Sequence, residues 1–219
     1  MDRVCPHAAD CPIRCREGRD PLPVWPTLSD TPIAMIIGEA PGPEEHAAGV
    51  GFIGKSGMEL DMYLEKFAKV SRRRCTISNV VKCAPWKGKE IATPVAKEIA
   101  YCTSMWMDDE LSTPYRAIAA VGAVATAALL GPVSLERVQG IPQTDERGRV
   151  IVPIYHPAYG LRSTIHMKYI AEGFRVFGEV VRGVSAPAPP EVEINYTWLE
   201  DETRVQVSLG QHGRNWSMT

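Results

Sequence analysis

Three short stretches of this chain hold side chains whose types and spacing suit chemistry. The first is the loop Gly38-Glu39-Ala40-Pro41-Gly42-Pro43-Glu44-Glu45-His46, which runs on through Phe52 to Ser56-Gly57. Glycines and prolines gather there with several acids and one aromatic ring. A helix beginning near Ser56 exposes unpaired backbone N–H groups, and a Ser-Gly pair lets a phosphate approach closely. The stretch also reads as an ordinary loop capped by Ser56. The second stretch is Tyr155-His156-Pro157-Ala158-Tyr159-Gly160-Leu161-Arg162. A histidine fixed by the following proline can donate a hydrogen bond to developing negative charge. Leu161 and Arg162 add an apolar wedge and a phosphate-pairing cation. His-Pro on its own is common, and a satisfied loop histidine explains it equally well. The third feature is Asn79, an amide inside an apolar run, where it is costly unless partnered. It offers a donor and an acceptor together, which suits the edge of a planar polar ring. Nearby backbone would satisfy it too.

The elements that must position these groups follow from hydrophobic patterning. Short apolar runs at 33–37, 76–81, 117–121 and 150–154 predict four strands, two of them closed by Gly38 and Gly122. Helical spacing appears over 56–69, 95–111, 123–130 and 167–181, with Pro94 and Gly131 at a helix start and end. Strands alternating with helices predict an α/β fold: a three-layer α/β/α sandwich around a central four-stranded, mainly parallel sheet. Ligands in such sheets bind beyond the carboxyl ends of the strands. The informative loops are therefore those after Ile37, Val81, Val121 and Ile154, and two of them are the chemical stretches above.

Residues 1–184 are expected to form this domain, with the N-terminal segment as an arm. Residues 185–190, rich in proline and alanine, read as a linker. In 191–219, Val192, Ile194, Tyr196 and Trp198 alternate with polar residues, as do Val205, Val207 and Leu209, which predicts a C-terminal β-hairpin. An isolated hairpin is marginal in water, so packing on the body or on a protein partner is expected.

The 219 residues, 45% hydrophobic and 23% charged, describe a globular chain with no membrane span and no secretory leader, expected in the cytoplasm as a monomer. The net charge of −2 splits into −3 for residues 185–219 and +1 for the remainder. A near-neutral body binds nucleic acid only if its cations share one face, so charge neither supports nor excludes that partner.

Taken together, Gly38 to Gly57, Ser78-Asn79-Val80-Val81-Lys82-Cys83 and His156 to Arg162 closely resemble the three signature segments of the family 4 uracil-DNA glycosylases. These are iron–sulfur enzymes, and the order and approximate spacing of the segments agree over about residues 11–182. The resemblance implies hydrolysis of the N-glycosidic bond of deoxyuridine by base flipping, in single- or double-stranded DNA. It implies that Glu39 orients or activates the attacking water, that Phe52 stacks on the extruded uracil, and that Asn79 reads its Watson–Crick edge. Gly38 and Ala40 join the substrate site, and Glu45 lies near the C5 side, where a thymine methyl would intrude. His156 would stabilise charge on uracil O2, Leu161 would fill the gap in the stack, and Arg162, Ser56 and Gly57 would hold phosphates. Two other readings remain: a glycosylase for another modified base, or a catalytically weak DNA-binding iron–sulfur protein recruited through its C-terminal tail.

The resemblance also implies a [4Fe-4S] cluster. Cys83 and Cys102 match its two downstream ligands, and Cys15, 23 residues before Gly38, matches the second cysteine of the upstream pair. Cys11 is the expected partner of Cys15, with Cys5 the alternative. Ligand type alone leaves zinc open. Cys75, in an apolar run, reads as a buried small residue. The chain departs from the family at His46, where aspartate is usual, and at Gly160, where a bulkier residue is. The stretch 86–93 lacks the arginine- and histidine-rich insertion of the relatives that crosslink to DNA, so ordinary turnover is expected.

Overall fold

The computed structural model describes residues 4–13, 22–160, 164–184, 192–199 and 202–209. Among them, β1 (Ala34–Gly38), β2 (Cys75–Asn79), β5 (Ala117–Val121) and β7 (Val150–Ile154) form the parallel core of one sheet, in the order β2-β1-β5-β7. A fifth strand, β6 (Gln143–Thr144), adds to β7 in the antiparallel sense. The sheet thus has five strands where patterning predicts four. At two residues, β6 is too short to show alternation, and it is defined by its pairing alone. The small hairpin β3 (Trp86–Lys87) and β4 (Glu90–Ile91) occupies the 86–93 stretch.

The helices are α1 (Pro43–Ala48), α2 (Lys55–Tyr63), α3 (Ala96–Glu110), α4 (Ala123–Leu130), α5 (Leu135–Val138), α6 (Pro157–Gly160) and α7 (Thr164–Arg182). The long helical run expected over 56–69 ends earlier: α2 passes into a wider π turn at Leu64–Ala68, closed by Lys69 in the left-handed region. α3 is launched by Glu98, whose carboxylate accepts from the Val95 N–H at 2.8 Å.

Alternation along the strands assigns side chains to two cores. Ala34, Ile36, Ile77, Ala119, Val152 and Ile154 face Leu60, Tyr63 and Leu64 on one side, with Ile170, Phe174 and Phe177 of α7. Met35, Ile37, Ile118, Ala120 and Ile151 face the other side, against Met107, Leu111 and Ala125. Helices therefore cover both faces, as a sheet buried on both sides requires. Cys75 belongs to the first core, whereas Cys11, Cys83 and Cys102 belong to the second.

The chain divides into two compact units, Met1–Ser185 and Ala186–Thr219. In the second, β8 (Val192–Leu199) pairs antiparallel with β9 (Glu202–Leu209), Val192 opposite Leu209 and Leu199 opposite Glu202.

Candidate active site

The carboxyl ends of β1, β2 and β7 bring the three chemical stretches together. Register sets Gly38 beside Asn79, and the carbonyls of Gly38 and Glu39 accept from the N–H groups of Val80 and Val81. Beyond these ends lies a cavity of about 150 Å³, lined by Ala40, Pro41, Gly42, Glu45, Phe52, Ser56, Asn79 and His156. It is smaller than a drug-sized site and suits one small ring.

Phe52 is buried, with 5% exposure, and adopts φ 54°, a conformation that a bulky residue keeps only when its surroundings impose it. Glu45 does part of this. Its Oε1 accepts from the N–H groups of Ile53 and Gly54, both at 3.3 Å, and so ties α1 to the loop just past the ring. Arg72 does another part, donating to the Gly51 carbonyl at 2.9 Å while it pairs with Asp61 at 2.6 Å. Two glycines give the ring its space. A methyl on Gly38 would lie 2.5 Å from both Asn79 Oδ1 and Phe52 Cζ, and one on Gly57 would overlap the Phe52 carbonyl. The Gly57 N–H is already donated to the Gly54 carbonyl, so the glycine there serves packing against Phe52.

His156 lies across the cavity, its ring stacked at 25° to that of Phe52 with centroids 5.9 Å apart. Its Nδ1 accepts from the Ala158 N–H at 3.2 Å, which leaves the proton of the neutral ring on Nε2. Burial lowers its pKa to about 4, with the Glu45 charge opposing, so the imidazole is neutral at physiological pH. Burial also raises the Glu39 carboxyl, which makes that carboxylate a stronger base. Glu39 follows Gly38 but is not part of the cavity lining. Asn79 is 3% exposed, yet its side-chain amide has no hydrogen-bond partner among the described residues. A buried amide left open toward a cavity is a reading edge in want of a ligand.

Ser56 reaches the cavity from the first turn of α2. Leu161, Arg162 and Cys15 lie outside the described residues. The departures noted above have local partners: His46 packs edge-on against Trp86 at 5.5 Å. A side chain at Gly160 would meet the Tyr63 hydroxyl at 3.1 Å.

A model of the uracil DNA glycosylase superfamily matches residues 26–177. The chain belongs to that superfamily. The matched span runs from ahead of β1 into α7 and contains every strand of the five-stranded sheet. Among its superfamily relatives, a type-4 uracil-DNA glycosylase of Thermotoga maritima is 35% identical over 132 residues, 59% of this chain and 66% of that protein. The type-4 enzyme of Sulfurisphaera tokodaii is 28% identical over 171 residues, 74% of each chain. That of Pyrobaculum aerophilum is 32% identical over 136 residues, 58% of this chain and 67% of its own length.

Cys11, Cys83 and Cys102 lie on the far side of the sheet from Phe52, whereas Cys75 shares the Phe52 side. Cys11, Cys83 and Cys102 share one buried cluster, and Cys5 is buried as well. Cys5 and Cys11 are near enough to Cys102 for their charges to add to the burial that lifts its thiol to about 11. Among the described residues, no three histidine, cysteine or acidic side chains are drawn together as a metal site. The donor set is nonetheless all thiol, suited to iron–sulfur or zinc. A thiolate at Cys102 requires a cation to offset its burial.

Patterning alone passed over Arg72 and Lys82. Each is a cation next to a functional residue or its loop, and Lys82 interrupts the apolar run Val80-Val81 before Cys83, which is the signal that marks it.

Proposed function

We propose that this chain is a uracil-DNA glycosylase that flips deoxyuridine out of DNA and hydrolyses its N-glycosidic bond. The observation that carries the proposal is the small cavity where Phe52, the open amide of Asn79 and the neutral His156 meet. Phe52 stacks on the uracil ring, and Asn79 pairs with its polar edge. Stacking contributes roughly 1–3 kcal/mol but selects no particular base, so discrimination falls to the amide and to the cavity's shape. Extruding a base costs a few kcal/mol, least for a mismatched one. Gly38 and Ala40 let the ring approach the strand end, and Glu45 closes the cavity toward C5.

As the C1′–N1 bond breaks, its electron pair passes into the uracil ring and gathers on O2, where the His156 Nε2–H donates. Water attacks C1′, and the Glu39 carboxylate takes its proton, leaving an abasic sugar and a uracil anion. A neutral donor suits this better than a charged one would, because it leaves the departing base as an anion and transfers no proton early. Ser56 at the start of α2, with Leu161 and Arg162, holds the flanking phosphates and the vacated stack, while Gly57 leaves room for Phe52 beside it.

Cys11, Cys15, Cys83 and Cys102 would hold a [4Fe-4S] cluster, with Cys5 the alternative upstream ligand. Such a cluster supplies a covalent tie between the N-terminal arm and the body. No helix among the described residues is long and apolar enough to cross a membrane. We place the chain's work in the cytoplasm as a monomer on single- or double-stranded DNA, with its C-terminal hairpin available to a protein partner.

The deciding experiment is release of free uracil from a uracil-containing oligonucleotide by iron-loaded protein. Glu39→Gln and His156→Ala should each lower the rate, roughly 10²–10³-fold for the lost donor, while DNA binding persists. Loaded wild-type protein that frees no uracil would end the proposal. Iron analysis with a visible spectrum separates the cluster from zinc.

A further inference from the structure

Lys82 follows β2 by three residues and is 1% exposed. Its ammonium donates to Ser78 Oγ at 3.0 Å, to the backbone carbonyl of Asn79, and to Glu110 of α3, with Oε1 at 2.7 Å and Oε2 at 3.0 Å. The Ser78 hydroxyl donates to the same carboxylate at 2.8 Å. All three ammonium protons are thereby engaged. The Lys82 backbone N–H meanwhile points at Cys102 Sγ, 3.4 Å away.

Stability does not account for this arrangement. A buried ion pair gives back in Coulomb energy about what it loses in hydration, and apolar replacements of equal volume are often as stable or more so. What the pair fixes is a position. Asn79 is the last residue of β2, and its carbonyl is drawn toward Lys82 while its side chain lines the cavity. The amide itself has no partner among the described residues to hold it in place. Packing beside Gly38 and the backbone beneath it set its direction, and that backbone is gripped by a charge whose counter-charge sits on a separate helix.

We propose that Lys82, with Glu110 as its counterion, is a positioning residue for base recognition: it clamps the Asn79 carbonyl so that the amide presents both its donor and its acceptor to the uracil edge. The inference rests on the uracil-glycosylase reading above. Lys82 touches no substrate. It acts through Asn79.

The test compares iron-loaded wild type with Lys82→Met/Glu110→Leu, which removes both charges and keeps the volume. Lys82→Met alone would leave a buried carboxylate unpaired and confuse folding with function. The double variant is expected to melt close to wild type and to keep its iron. Its KM for uracil-containing DNA should hardly change, because the phosphate grip is intact. Its kcat should fall at least tenfold, and its affinity for free uracil, read as product inhibition, should weaken by a similar factor. A stable, iron-loaded double variant with wild-type kcat and uracil affinity would overturn the proposal. So would an activity loss that merely tracks lost iron.

In the event that the double variant does not fold, Glu110→Gln keeps the side-chain volume and one acceptor oxygen for Lys82 while removing the counter-charge. It should weaken free-uracil inhibition severalfold, and unchanged inhibition would overturn the proposal as well. Wild-type protein that releases no uracil sinks the enzyme reading itself, before any variant is compared.

Discussion

The two walls of the cavity are held by different physics. The Phe52 wall is a local construction: Glu45 reaches backbone N–H groups eight and nine residues along, and two glycines clear space for the ring. The Asn79 wall is held at long range, by a lysine paired with a carboxylate 28 residues away on another helix. A local wall is assembled once its loop closes, since loop closure over few residues costs little. The other wall exists only when α3 has packed against the sheet. Recognition of the ring's face therefore rests mainly on contacts within one loop, with Arg72 as its tie to the body, whereas recognition of its edge rests on a helix packed across the sheet.

The sharpest way to break this separation is Gly38→Ala, because its methyl would strike both walls at once. Uracil release should drop by roughly 10³-fold, the upper range for loss of a preorganised contact. Single-turnover kinetics would check it, and near-wild-type release would mean that the walls yield more easily than their contacts suggest.

A smaller effect comes from His156, which faces the Phe52 wall. Its pKa is lowered to about 4 in the folded chain, against about 6.5 when unfolded. Between those values the unfolded chain binds the extra proton and the folded one does not, so stability falls as pH drops from 6.5 toward 4. The loss attributable to this group is at most about 3 kcal/mol. Denaturant melts across that range should show it, and His156→Ala should flatten that part of the slope.

The mildest probe is Glu45→Gln. The amide oxygen can still accept from Ile53 and Gly54, so the cost is the charge-assisted part of two hydrogen bonds, about 1 kcal/mol. Uracil release should fall only severalfold with no change in melting of the body. A collapse in melting temperature would mean that the Phe52 wall is not local after all.

The sequence makes much of this site legible because its motifs end strands. Gly38 and His156 each follow a short apolar run, and a parallel sheet converges such ends; Asn79 reads as lying inside its run, whereas the structure ends β2 at that residue. Gly57 reads in the sequence as a phosphate approach, yet the structure ties its missing side chain to the Phe52 carbonyl, a contact between residues that no periodicity encodes. The Lys82–Glu110 pair is invisible for a similar reason: nothing in the pattern of either segment says that α3 crosses behind β2. β6 escapes notice because two residues carry no alternation. The break in the helix at Leu64 to Ala68 is likewise silent, since its residues keep helical spacing through the wider turn.

The borders of the sheet have a consequence for how the molecule meets copies of itself. Along β2, Thr27 exchanges both backbone hydrogen bonds with Ile77, and Val24 donates to the Lys82 carbonyl, so irregular chain occupies that flank. On the opposite flank, β6 offers only two residues. Among the described residues, neither border of this sheet presents a long row of free donors and acceptors, the template on which strands of neighbouring molecules add to one another. Such a body resists adding to copies of itself edge to edge. Among the described residues, no further strand adds to the outer side of either eight-residue strand of the β8–β9 hairpin.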